Sequence, residues 1–182
     1  MSRTGRLVHL IALMVVVFST AAIGAARLGN PAEATAQEWF IAGTIVLMVG
    51  GGGLHALATL HDTVVRPTYF VPIDGTVKAA MEGTGIRLRR MYPGGDATRS
   101  IWSYWLGINI GQGLGVFSFG LLCLLIATHD FELIERIDAI RPLTIALSAG
   151  YLVLSLRFWS YAQALMAGSA TACFTIAAVL SA

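Results

Sequence analysis

The sequence predicts an all-α protein, a polytopic bundle of transmembrane helices forming a single domain, with five spans and a cytoplasmic N-terminus. Three observations predict it. The chain has 182 residues, 56% hydrophobic and only 12% charged, against about 25% charged in an ordinary soluble domain. Apolar runs of roughly 20 residues, the length that crosses a bilayer as a helix, recur along it. The polar stretches between those runs differ in charge sign, as the loops of a membrane protein do.

The first expected span runs from Leu7 to Ala26, behind Arg3 and Arg6. Its small residues near Ala21–Ala26 resemble a signal-peptide cleavage region. The run is nevertheless longer than the roughly 7–15 apolar residues of a signal sequence. Leu28-Gly29-Asn30-Pro31 ends it, because Gly and Asn favour helix C-caps and Pro cannot continue the helix. A short loop with Glu33 and Glu38 follows. Trp39-Phe40 then reads as the aromatic interface anchor of a second span over 39–60.

Residues 61–100 form the longest polar section and carry Arg66, Lys78, Arg87, Arg89, Arg90 and Arg99. Within it Thr76 to Arg90 reads as an interfacial helix, with Val77, Met81 and Leu88 toward lipid and the arginines toward phosphates. The third span, 101–127, opens on Trp102, Tyr104 and Trp105 as an aromatic belt. An acidic loop from His129 to Arg141 follows. The remaining 40 or so residues are nearly all apolar and would measure about 60 Å as one helix, twice a hydrocarbon core. They fold into spans 142–158 and 161–181, turning at Arg157. A four-helix arrangement with a re-entrant last stretch is the alternative.

The charges fit five spans. With the N-terminus inside, nine basic residues lie inside and only Arg27, Arg136 and Arg141 outside. That is the positive-inside bias, and it reads as a multi-pass protein of a cell's inner (plasma) membrane. The net charge of +2 is too small and scattered for nucleic-acid binding. Cys123 and Cys173 each sit inside an apolar run, with no CxxC spacing, and read as buried small hydrophobes.

Polar residues in the apolar phase are site candidates by default. At about 100° per residue, His55 shares a helix face with Thr44, Met48, Gly51 and Thr59 and, seven positions on, Asp62. His61 is about 240° around and points elsewhere, which disfavours a two-histidine metal site. Depth counted from the inner surface brings His9, His55, Thr59, Asp62, Asn109, Gln112 and Arg157 into one leaflet. The plain reading is inter-helix hydrogen bonding that fixes register. The sharper one is a cofactor pocket, in which His55 or His9 ligates a haem or other tetrapyrrole, or His55 with Asn109 or Gln112 holds a quinone or lipid headgroup. Catalysis by His55 with Asp62 is a third reading, and no serine or cysteine nucleophile motif accompanies it. The glycines have a packing reason: Gly107, Gly111 and Gly115 make two overlapping GxxxG steps, and Gly50, Gly51, Gly52 and Gly53 offer a smooth surface to meet them. A flat cofactor ring or a partner subunit could use the same surfaces.

Several pieces together carry a resemblance. They are Gly53-Leu54-His55, Tyr69-Phe70-Val71-Pro72, Trp105-Leu106-Gly107-Ile108-Asn109 with Gly113-Leu114-Gly115 and Phe119-Gly120, Tyr151-Leu152-Val153-Leu154 with Arg157-Phe158-Trp159, and Ala172-Cys173-Phe174. In these the chain is similar to a group of small uncharacterised bacterial membrane proteins of four or five helices, over about three-quarters of its length. Such proteins usually carry a second polar residue after the Asn of the third span, where this chain has Gly111-Gln112. The resemblance implies a topology and brings no activity. The expected function is therefore an integral membrane accessory subunit, packed in a larger complex or homo-oligomer through glycine and aromatic faces. A small cofactor-binding membrane oxidoreductase using His55 is the alternative, and a transporter, which would need broken helices and intramembrane charges, ranks third.

Overall fold

The computed structural model describes residues 29–65, 68–88 and 97–181. The expected first span and His9 lie outside the described residues, and so does the start of the chain that would fix its orientation. The described chain is mostly helical: α1 (Ala36–Val64), α2 (Gly75–Gly83), α3 (Ile101–His129), α4 (Phe131–Arg136), α5 (Ile140–Phe158) and α6 (Tyr161–Leu180). A small antiparallel hairpin pairs β1 (Gly85–Leu88) with β2 (Ala97–Ser100), Gly85 opposite Ser100. Among the described residues three helices, α1, α3 and α6, are long and apolar enough to cross a membrane. By Cα proximity the described chain divides into two compact units, a larger one of residues 29–53 with 115–181 and a smaller one from the described residues between 54 and 114.

In the larger unit, Gly29 takes a left-handed φ of 56° and starts a turn closed by the Asn30 side chain. Thr35 then caps α1 reciprocally with Glu38. The Glu38 N–H donates to Thr35 Oγ1 at 3.3 Å, and the Thr35 N–H donates to Glu38 Oε2 at 2.8 Å. Phe40 is not an interfacial anchor as expected. It is 1% exposed, with its ring 5.1 Å from Phe174 and 6.0 Å from Phe131. The acidic 129–141 segment supplies that second ring by folding back as α4, whose N-cap Asp130 accepts from the Leu133 N–H and pairs with Arg136.

Between Val46 and Gly53, α1 is a π-helix, a wider coil bonded i→i+5. Four of its eight residues are glycines, and two of them, Gly50 and Gly53, are closely surrounded. A Cβ at Gly50 would collide with Met166 of α6, and one at Gly53 would sit 3.3 Å from the Met48 carbonyl across the π turn. Upstream, a Cβ at Gly43 would meet Phe174 and Cys173 at 3.0–3.1 Å. Small positions on α1 thus receive the large residues of α6. On α6 itself Ala164, Ala167, Ala170 and Ala177 are buried.

The α5–α6 hairpin turns at Trp159-Ser160, where Ser160 and Gln163 form a capping box. At its far end Arg141 donates to the Ser181 carbonyl at 2.9 Å and hydroxyl at 3.0 Å. Along α5 the buried face is small and polar, Thr144, Ser148 and Ser155. Thr144 and Ser148 return their hydroxyl hydrogens to carbonyls of their own helix, as do Thr44, Thr128, Thr171 and Thr175. Such bonds satisfy each hydroxyl within its own helix.

In the smaller unit, Asp74 caps α2 by accepting from the Thr76 N–H at 2.8 Å and from its hydroxyl. The expected 76–90 interfacial helix stops at Gly83, and the chain extends from Gly85 into the hairpin. The two glycines are the physical reason, since glycine carries the highest backbone entropy cost in a helix interior. Lys78 pairs with Glu82 and lies 5.1 Å from the Trp102 ring centroid. The Ile101 N–H donates to Thr84 O, joining the end of α2 to the start of α3.

On α3 the buried residues are Trp102, Leu106, Asn109, Gly113, Val116, Gly120, Cys123 and Ala127. Their spacing alternates four and three throughout, the seam that lets one straight face of a helix stay against a neighbour. Two glycines in that seam admit α1. A Cβ at Gly113 would lie 2.7 Å from the Ala56 backbone nitrogen, and one at Gly120 2.7 Å from Met48 Cβ. Helices α1 and α3 do approach closely, but through Gly113 and Gly120. Gly107, Gly111 and Gly115 are exposed, and no atom of the described residues comes within 4 Å of the Cβ each lacks.

Candidate functional site

The inward polar residues of the smaller unit gather at the end of α1. After the π segment ordinary α geometry resumes at Leu54, so positions i, i+4 and i+7 from His55 share a face. His55, Thr59 and Asp62 are 7%, 0% and 3% exposed. Face arithmetic cannot be carried back to Thr44, because the intervening turns are bonded i→i+5. Asn109 meets His55 from α3. Its Nδ2 donates to the Trp105 carbonyl at 2.8 Å, and its side chain is a hydrogen-bond partner of the His55 imidazole. The Thr59 hydroxyl donates to the His55 carbonyl at 2.8 Å.

Asp62 holds the loop that follows α1. One carboxylate oxygen accepts from the Thr68 N–H at 2.7 Å, the other from the Phe70 N–H at 2.7 Å, and both from the Tyr69 N–H at 3.0 Å. Three successive amides converge on one buried anion, an arrangement that satisfies the charge and ties the loop down. The tie positions two rings. Phe70 lies edge-on to His55 at 4.8 Å, and Tyr69 lies edge-on to His61 at 5.3 Å. His61 is half-buried, with Nδ1 3.6 Å from Asp62 Oδ1.

The structure therefore brings together His55, Thr59, Asp62 and Asn109 in one unit. Gln112 is half-buried on α3. His9 lies outside the described residues. Arg157 belongs to the larger unit, exposed, with its guanidinium 5.4 Å from the Phe158 ring. Among the described residues no three His, Cys, Asp or Glu side chains come together to hold a metal. Chemically the cluster offers one imidazole with an amide partner, one carboxylate committed to backbone amides, and an aromatic cover.

Reading the sequence by helical phase missed the Thr68–Phe70 loop, because its link to Asp62 spans six to eight residues outside any helix. The signal for it was an aspartate at a helix end followed by aromatic residues bracketed by Pro67 and Pro72. It also missed Gly113 and Gly120, although their seven-residue separation matches the apolar seam.

No family model, curated protein or solved structure matches the chain. What the fold defines is a mostly helical protein with, among the described residues, three helices long and apolar enough to cross a bilayer.

Proposed function

We propose that the chain is a non-catalytic integral subunit of a bacterial inner membrane, five spans with the N-terminus cytoplasmic, which assembles with other membrane helices through α3. One observation carries this. Gly107, Gly111 and Gly115 stand four apart on an apolar, membrane-length helix, exposed and unused by the described fold. A small-residue face of this kind lets a second helix backbone approach closely in lipid. The inward polar residues support the same reading, since Asp62, Thr59 and Asn109 spend their hydrogen bonds on the fold itself. Substituting Gly111→Leu fills the face without touching the internal seam. The proposal expects the native assembly to shrink with the substitution, and an unchanged size on gentle detergent extraction overturns it.

A second reading rests on His55, a buried imidazole with an amide partner and an aromatic edge. In it the residue holds a haem, another tetrapyrrole or a quinone. An absorption band in the purified native protein, or quinone in its lipid extract, lost in His55→Ala, supports it. A colourless, quinone-free preparation removes it.

A further inference from the structure

The smaller unit holds an open cavity of about 420 Å³, lined by Arg99, Ser103, Tyr104, Gly107 and Ile108. That volume falls within the roughly 300–1,000 Å³ of ligand sites. Its lining joins an arginine, a serine and a tyrosine to a glycine and an isoleucine.

The charges around it are unequal. Of the described carboxylates in this unit, Asp62 is held by three loop amides, Asp74 by Thr76 and Glu82 by Lys78. Arg99 is exposed and forms no ion pair among the described residues. Ser103 shares one hydroxyl hydrogen bond with Ser100 at 3.0 Å, which leaves the pair a further O–H to donate. A planar guanidinium beside hydroxyl donors is the donor set that matches a phosphate group.

Location separates a lipid phosphate from a soluble one. Arg99 lies just before the first residue of α3, a helix of membrane-spanning length, and Trp102, Tyr104 and Trp105 stand in the first turns. Aromatic residues at the end of a span mark headgroup depth. Tyr104 and Trp105 are 45% and 43% exposed, as side chains at a lipid interface are. Ile108, also exposed, follows Tyr104 by one turn along α3.

We infer that this cavity binds the phosphate of an anionic phospholipid, Arg99 and the Ser103 and Tyr104 hydroxyls taking the headgroup and Ile108 the start of the acyl chains. The inference rests on α3 spanning the bilayer, and not on the assembly proposed for Gly111.

The test uses the full-length protein, delipidated in neutral detergent and titrated with phosphatidylglycerol or phosphatidylcholine, bound lipid being counted by native mass spectrometry. The wild type is expected to retain one phosphatidylglycerol in preference to phosphatidylcholine. Arg99→Gln is expected to weaken that preference about tenfold, the scale of one charge-assisted hydrogen bond. Arg99→Lys keeps part of it, and Arg157→Gln leaves it intact. Equal retention of the two lipids, or an unchanged preference in Arg99→Gln, overturns the inference. So does displacement of the lipid by millimolar inorganic phosphate, which would make the cavity a soluble-anion site. Arg99→Gln should leave assembly size unchanged and Gly111→Leu should leave lipid preference unchanged, so the two proposals fail separately.

Discussion

Removing the Asp62 carboxylate should free the Thr68–Phe70 loop while leaving the helices in place. Three amides donate to it at 2.7–3.0 Å, and the side chain is buried. A hydrogen bond to a charged group contributes about 1.5–3 kcal/mol, so a naive sum for three exceeds 4 kcal/mol. The sum overshoots, because the loop can lift and give its amides to water. Ile73 and Tyr69 nearby are already exposed. The loss is therefore bounded by local opening, and Asp62→Ala should cost roughly 2–4 kcal/mol of local stability. Hydrogen exchange at the Thr68, Tyr69 and Phe70 amides reads this directly. It should speed up roughly 30- to 1,000-fold, a factor of ten for each 1.4 kcal/mol. Asp62→Asn keeps one acceptor oxygen and should lose about half of that free energy. Amides of α3 should be unaffected. If the three loop amides exchange as slowly in Asp62→Ala as in the wild type, the carboxylate does not hold the loop, and the placement of Phe70 against His55 needs another cause.

The glycines of α3 should separate into two classes. Gly113→Ala and Gly120→Ala press a Cβ on α1 and should each cost about 1–3 kcal/mol in a detergent unfolding series. Gly111→Ala points into open space and should change stability by less than about 0.5 kcal/mol. The α2 cap should depend on pH. The Thr76 N–H and hydroxyl hold the Asp74 carboxyl below its ordinary value, so its stabilisation is complete above the ordinary carboxylate range and is lost as pH falls through that lower folded value. Amide exchange at Thr76 and Val77 should accelerate only there, and Asp74→Ala should abolish the pH dependence. At the open end of the α5–α6 hairpin, Arg141→Ala should loosen the last turn of α6 around Ser181, seen as faster exchange there with no change at the Ser160 cap.

Much of the architecture is legible because it depends on length and local chemistry. The division of the last 40 residues at Trp159-Ser160 follows from a capping pair three apart, Ser160 and Gln163, beside Arg157. The aromatic opening of α3 and its span length are equally local. The π segment was hidden, because four glycines carry no side-chain phase and an apolar run reads alike at either period. Phe40 was misplaced because an aromatic residue near a span end suits either an interface or a core, and only α4 folding back decides it. The GxxxG spacing on α3 was visible at once, yet it does not reveal which face turns inward. The three-four seam through Leu106, Asn109, Gly113 and Val116 does, and it selects Gly113. At the candidate site, the grouping of His55, Thr59 and Asp62 depends on regular α geometry and could be counted. The loop that Asp62 holds depends on contacts that no periodicity encodes.

The most direct test of the proposed function is the mass of the complex formed by the native protein extracted into polymer nanodiscs, compared between wild type and Gly111→Leu. A wild-type particle well above the 19.3 kDa of one chain, reduced by the substitution while Gly111→Ala retains it, is the predicted result. A wild-type particle carrying a single 19.3 kDa chain and no other polypeptide, or a Gly111→Leu particle of undiminished mass, contradicts it.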